Sequence, residues 1–205
     1  MLKERLGKEI LLFDGGMGTQ LQKAGLKAGE IPEVYNIEHP QIIVDIHKRY
    51  LEAGADFITT NTFGANPLIM KDCGYPFEEL IKAAVKNAKK AKEEANKDAY
   101  IVLDIGPIGQ LLQPLGSLSF DEAYAIIKAQ VECVKDEVDA ILLETMSDLY
   151  EVKAGILAVK ETCDVPLFVS MTFQKDGRTL TGSDPLTFVN VVEGLGVDVL
   201  GVNCS

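Results

Sequence analysis

The chain has 205 residues, 47% of them apolar, and a net charge of −11 at pH 7. That is enough apolar material for one packed core. The carboxylate excess argues against nucleic acid and anionic membrane as partners, since both call for clustered Lys and Arg.

No apolar run approaches the roughly 20 residues of a membrane span. The N-terminal Met1-Leu2-Lys3-Glu4-Arg5 lacks the apolar centre of a signal peptide, so a cytoplasmic location is expected. Cys73, Cys133, Cys163 and Cys204 show no paired spacing, and in a cytosolic chain they are expected to stay reduced. Glu78 with Lys82, Lys89 with Glu93 and Lys90 with Glu94 read as solvated helix faces.

Residues 2–9 read as a short leading helix that stops near Gly7. A first strand is expected over about 10–14, without polar alternation, as suits a parallel strand covered on both faces. It runs into Asp14-Gly15-Gly16-Met17-Gly18-Thr19, and a short helix over 18–24 stops at Gly25. Pro40 opens the next helix, with Ile42, Ile43, Ile46 and Tyr50 as its apolar face and Gly54 at its end. A second strand, about 56–60, leads into Asn61-Thr62-Phe63-Gly64-Ala65-Asn66, and 77–95 is a long amphipathic helix.

A third strand, about 100–105, ends in Asp104-Ile105-Gly106-Pro107 and is followed by a loop longer than a plain connection needs. Ser119 with Glu122 is a capping-box pair opening the next helix. A fourth strand, about 139–143, ends in Glu144-Thr145, and Ser147 or Asp148 caps a helix over 149–161. A fifth strand, about 167–172, precedes the turn Lys175-Asp176-Gly177-Arg178, and Asp184-Pro185 opens a further helix. The sixth is Val199-Leu200-Gly201-Val202, delivering Asn203 and Cys204.

Apolar strands alternating with helices predict an α/β fold with a parallel sheet. An open doubly wound sheet needs special residues at one switch point only, whereas a barrel gathers all its strand ends at one mouth. Every strand end here is polar or glycine-rich, which favours a (βα)8 TIM-type barrel. Gly16-Met17-Gly18-Thr19-Gln20-Leu21 carries two glycines of a dinucleotide fingerprint, but Leu21 stands where a third small residue should be. Six βα units are counted, so strands 7 and 8 are missing. Residues 1–205 are expected to be one domain truncated at its C-terminus, with open edges at the first and sixth strands.

Cys204 is expected to be the reactive, catalytic member of the converging strand ends. Cys73, Cys133 and Cys163 read as structural. His39 and His47 occupy no strand end, and His47 is assigned to a helix face open to solvent, so no histidine base is expected. Burying a carboxylate without a partner is costly. Asp14 and Glu144, facing one mouth, suit an ammonium group such as that of an amino acid. Asn61, Thr62 and Asn203 can add neutral hydrogen bonds. Asp104 has an alternative role in holding the Gly106-Pro107 turn.

Taken together, Asp14-Gly15-Gly16-Met17-Gly18-Thr19, Asn61-Thr62-Phe63-Gly64-Ala65, Asp104-Ile105-Gly106-Pro107, Glu144-Thr145, Met171-Thr172-Phe173 and Gly201-Val202-Asn203-Cys204 resemble the homocysteine S-methyltransferase family. Within it, the likeness is greatest to the homocysteine-binding module of cobalamin-dependent methionine synthases. The resemblance implies a (βα)8 barrel that binds Zn²⁺ through three cysteines, Cys204 being the first. The other two belong to a Gly-Gly-Cys-Cys motif absent from this sequence. It also implies that Asp14 and Glu144 contact the homocysteine amino group, and that Gly15, Gly16, Asn61, Thr62, Phe63, Asp104 and Asn203 shape the substrate site.

The implied chemistry is methyl transfer to the thiol of homocysteine, giving methionine. A thiol with a pKa of about 8.5 is mostly protonated at neutral pH, and zinc would stabilise the nucleophilic thiolate. The donor would be methylcobalamin on another module, or a sulfonium or betaine-type small molecule. The 205 residues alone are expected to be inactive. Two other readings stay open on the residues: a metal-independent barrel enzyme that uses the strand-end carboxylates, and a non-catalytic truncated product.

Overall fold

The computed structural model describes residues 2–205. Five strands form the sheet: β1 (Phe57–Thr59), β2 (Tyr100–Ile105), β3 (Ala140–Met146), β4 (Leu167–Met171) and β5 (Val199–Val202). They lie side by side in chain order, and every neighbouring pair is parallel. The order never reverses, so there is no switch point, and the dinucleotide-fold alternative falls. The connecting helices are α4 (Pro40–Glu52), α5 (Phe77–Ala95), α6 (Phe120–Glu132), α7 (Leu149–Thr162) and α8 (Pro185–Gly194). Shorter helices are α1 (Leu2–Arg5), α2 (Met17–Lys23) and α3 (Tyr35–Glu38), the last preceded by a single 3-10 turn at Pro32–Val34.

The sheet is strongly curved. Phe57 on β1 and Phe168 on β4 meet edge to face with ring centroids 5.8 Å apart. Three strand spacings of a flat sheet would separate them by about 14 Å. This is the arc of a (βα)8-type barrel, with helices on its convex face.

Alternation along each strand divides the core in two. Ile101, Leu103 and Ile105 of β2, Ile141 and Leu143 of β3, and Val169 and Met171 of β4 point outward into the large cluster shared with the helices. Phe57, Val102, Ala140, Leu142 and Phe168 point inward, and Leu2 of α1 joins them. The leading helix is therefore shorter than expected, and it closes the N-terminal end of the barrel interior.

The first expected strand is reduced to one parallel bridge between Phe13 and Phe57. The Leu12 carbonyl accepts from the backbone N–H of Asp56 and Phe57, while the Leu12 N–H donates to the Asp56 carboxylate. A side chain thus takes a place that a ladder bond would fill. Nor is this segment covered on both faces. Ile10 is 89% exposed, and Leu12 and Phe13 are exposed too. Val202 on β5 is likewise exposed, since β4 is its only strand neighbour among the described residues.

Local signals at the helix ends hold. Ser119 and Glu122 make the reciprocal capping box, and Asp148 and Asp184 cap α7 and α8. Of the expected surface pairs, Lys90–Glu94 forms at 3.7 Å, whereas Lys89 turns across to Glu137 at 2.8 Å.

One side chain lies opposite to expectation. His47 is fully buried, on the α4 face carrying Ile43, Val44 and Leu51, rather than facing solvent. Helix α4 packs on both α2 and α5, so its buried arc is wider than one apolar stripe. Neither ring nitrogen has a hydrogen-bond partner, and burial pushes the imidazole pKa from 6.5 down to about 4.

This makes stability fall with acid. The folded-state pKa lies below the unfolded one, so the contribution is intact above pH 6.5 and drains away as pH falls toward 4. At 1.4 kcal/mol per pH unit, the loss is about 3 kcal/mol. Chemical denaturation at pH 7 and at pH 4.5 should show a smaller drop for His47→Leu than for the parent protein. An equal drop would mean that His47 does not carry the acid sensitivity.

Candidate active site

Continuing each inward-facing column toward the strand C-termini changes its chemistry. Phe57 is followed by Thr59, Val102 by Asp104, Leu142 by Glu144 and Phe168 by Ser170. Apolar floor and polar mouth are thus two residues apart on each strand. The mouth opens a cavity of about 680 Å³. All nine residues expected to bind substrate line it: Asp14, Gly15, Gly16, Asn61, Thr62, Phe63, Asp104, Glu144 and Asn203. Cys204 follows at the strand end, exposed, with Sγ 3.7 Å from Asn203 Nδ2.

Asp14 is held by β1. Its carboxylate accepts from the Thr59 N–H at 2.9 Å and from the Thr59 hydroxyl at 3.0 Å. Burial nevertheless raises its pKa to about 7, against the pull of those two bonds and with the Glu144 charge adding to the rise. The glycine after it has a steric reason. A Cβ on Gly15 would stand 2.9 Å from the Tyr50 ring, whose hydroxyl donates to the Gly16 carbonyl.

Asp104 is only 6% exposed, and its Oδ1 has no partner. Its carboxyl makes no hydrogen bond to the Gly106-Pro107 turn; that turn is held by the Gly106 N–H on the Phe63 carbonyl at 2.9 Å. A Cβ on Gly106 would stand 2.7 Å from that same carbonyl, so only glycine fits. Burial first, then the charges of Glu144, Asp14 and Glu33, raise the Asp104 pKa well above the carboxylate range. Burial also raises Glu144.

Asn61 and Thr62 spend their side-chain hydrogens on the scaffold. Asn61 donates to the Pro32 carbonyl at 2.8 Å and to Asn36 Oδ1 at 3.3 Å. Thr62 donates to the Asp104 carbonyl at 2.6 Å, and its oxygen lies 2.7 Å from that of Thr60. Both side chains fix the mouth while lining it.

Three contributors went unnoticed in the sequence. Glu33 reaches in from the 3-10 turn and accepts the Gly64 N–H at 2.7 Å. Thr59 supports Asp14. Ser170, the one polar residue in Phe168-Val169-Ser170-Met171, bonds Asn203 Oδ1 at 3.1 Å. Its isolation within a buried apolar strand was the available signal.

A zinc site needs three or four ligands. Among the described residues no group of three or more His, Cys, Asp or Glu is arranged to hold a metal ion. Cys204 follows Asn203 at the end of β5, and the cavity's Asp14, Asp104 and Glu144 do not complete such a set with it. The residues present do not by themselves fit zinc. No helix among them is long and apolar enough to cross a membrane.

The model of the family described as homocysteine S-methyltransferase matches residues 11–205. Methionine synthase of Mycobacterium leprae (strain TN) is 32% identical over 223 residues, covering 100% of this chain and 18% of that protein. Methionine synthase of Mycobacterium tuberculosis (strain ATCC 25618 / H37Rv) is 32% identical over 225 residues with the same coverage. The chain therefore spans less than a fifth of the length of these relatives. In structure, it resembles the metallated form of the homocysteine methyltransferase MmuM from Escherichia coli with a TM-score of 0.84 at 23% identity. That match covers 96% of this chain and 75% of the other, and it supports the fold.

The unpartnered Asp104 oxygen gives a stability prediction. Its folded-state pKa is raised, so the carboxyl costs stability at high pH and ceases to do so once protonated. Asp104→Asn should stabilise the protein at pH 8 by about 1–2 kcal/mol. That corresponds to a melting temperature about 2–8 °C higher at this chain length. The gap should shrink as pH falls toward 4. A lower melting point for the variant at pH 8 would show that the carboxylate has a stabilising partner.

Proposed function

The chain belongs to the homocysteine S-methyltransferase family, and we propose that its mouth binds homocysteine by the ammonium group and presents the thiol for methylation to methionine. The observation that carries this is the pairing of Asp14 and Glu144 at one cavity above an apolar floor. Among the described residues no Lys or Arg lines that cavity. Asp14, Glu33, Asp104 and Glu144 all line it with raised pKa values, and four carboxyl groups with no cationic side chain among them suit a ligand that brings its own positive charge. Phe13, Leu142 and Phe168 offer a surface for the methylene chain, while Gly15, Gly16, Phe63, Asp104 and Asn203 set the shape of the pocket.

On this reading each residue has a limited task. Asp14 and Glu144 orient the amino acid. The apolar floor excludes water below them. Cys204 stands at the end of β5 as one thiol that could serve a zinc ion, which when bound would hold the substrate as thiolate. Two further thiols from outside this chain would be needed. The methyl donor, whether methylcobalamin on another module or a small sulfonium or betaine, would approach from the open side of the mouth. Residues 1–205 would thus supply most of one homocysteine-binding barrel. Four unpaired cysteines suit a reducing cytoplasm.

Titration calorimetry with homocysteine on the full-length protein tests the assignment. Glu144→Gln should weaken binding about thirtyfold, the worth of one charged hydrogen bond of about 2 kcal/mol. Between pH 8 and pH 6 the parent affinity should fall, because Asp14 must be ionised to pair with an ammonium and its free pKa is about 7. A pH-independent affinity, or wild-type binding by the Gln variant, would remove the carboxylates from the substrate site.

A further inference from the structure

Three side chains at the mouth close a ring of hydrogen bonds. The Thr145 N–H donates to Ser170 Oγ at 3.2 Å. Ser170 Oγ donates to Asn203 Oδ1 at 3.1 Å. Asn203 Nδ2 donates to Thr145 Oγ1 at 2.8 Å. The same Nδ2 lies 3.4 Å from Glu144 Oε1.

The contacts are consistent in one set of directions. A backbone N–H can only donate, so Ser170 Oγ accepts from Thr145, and its own hydrogen points at the oxygen end of the Asn203 amide. That leaves the NH₂ end on Thr145 Oγ1 and toward Glu144. With the amide reversed, its oxygen would face the Glu144 carboxylate. Ser170 therefore supports the amide orientation that turns NH₂ toward Glu144.

Thr145 holds its place in this ring at the cost of an uncommon backbone. Its φ is 57°, and Asn96 and Cys204 are the other non-glycine residues at positive φ among those described. A β-branched side chain rarely sits there. The cause is a bulge: β3 takes three residues from Leu143 to Met146 where β4 takes two from Val169 to Met171. The extra residue lets Met146 return to the outer core while Glu144 and Thr145 both remain at the mouth.

We infer that Ser170 is a positioning residue for the substrate ammonium, acting through Asn203 on Glu144, with Thr145 as the second anchor of the same amide. This deepens the homocysteine reading and rests on it. Neither Ser170 nor Thr145 need touch the substrate.

The test is the homocysteine dissociation constant of the full-length protein by calorimetry, beside a thermal melt. A partly unfolded preparation changes the binding stoichiometry but not the constant, which separates positioning from mere structural support. Ser170→Ala should weaken binding about tenfold. Ser170→Thr, which keeps the hydroxyl, should restore it to within about twofold. Thr145→Ala, which removes the other anchor, should weaken binding in the same direction, and it carries the test if Ser170→Ala does not fold. Unchanged affinity in Ser170→Ala with only a lower melting point would overturn the inference and leave homocysteine binding standing. Equal weakening in Ser170→Thr would overturn it as well. No binding by the parent protein would sink the substrate reading and this inference together.

Discussion

The two-residue period of the parallel strands is the constraint on which the rest of this structure depends. Parallel pairing keeps inward-facing residues of neighbouring strands opposite one another. On each strand an inward apolar residue is followed two positions on by a polar one: Phe57 by Thr59, Val102 by Asp104, Leu142 by Glu144 and Phe168 by Ser170. The pairing sets Thr59 beside Val102 and Asp104 beside Leu142, so the polar groups border apolar side chains. Burial is accordingly the first cause of the raised pKa values of Asp104 and Glu144. A one-residue slip in any strand would turn its polar group into the helix-facing core.

The bulge in β3 and the left-handed Cys204 both relax this period at the mouth. Each places a non-glycine residue at positive φ, which costs on the order of 1 kcal/mol or more. The strain sits at two strand ends beside the cavity. In β3 it returns Met146 to the core and gives Asn203 a hydrogen-bond partner in Thr145. Strain here is local, and the hydrogen-bonded ring holds it in place.

The strand ends were legible in the sequence because burial leaves a simple mark: an apolar run that breaks into Asp, Asn, Glu or Cys. The helix caps were legible for a similar reason, since Ser119-x-x-Glu122 and Asp184-Pro185 act through neighbours in the chain. What escaped depends on partners distant in sequence. His47 looks like a surface residue until α2 and α5 are both packed against α4. Glu33 lies in a loop with no periodicity, and its purpose appears only when Gly64 comes within reach. The first strand has the composition of a buried element, yet it forms a single bridge, because composition does not reveal that one neighbour is a carboxylate from Asp56. Ser170 was visible as a lone hydroxyl in an apolar strand, but its meaning needed Thr145 and Asn203 beside it.

Cys204 shows how an edge strand can still place a side chain firmly. Among the described residues β5 has one strand neighbour, so the usual second ladder does not define its end. The tip of β4 supplies the substitute. The Asn203 N–H donates to the Met171 carbonyl, the Thr172 hydroxyl donates to the Cys204 carbonyl at 2.9 Å, and the Phe173 N–H donates to Ser205 Oγ at 2.9 Å. Three consecutive residues are thus tied on the same side. The thiol itself stays exposed while its backbone is fixed. The same strand tip contributes Ser170 to the ring around Asn203, so β4 sets the placement of both the thiol and the amide that faces Glu144.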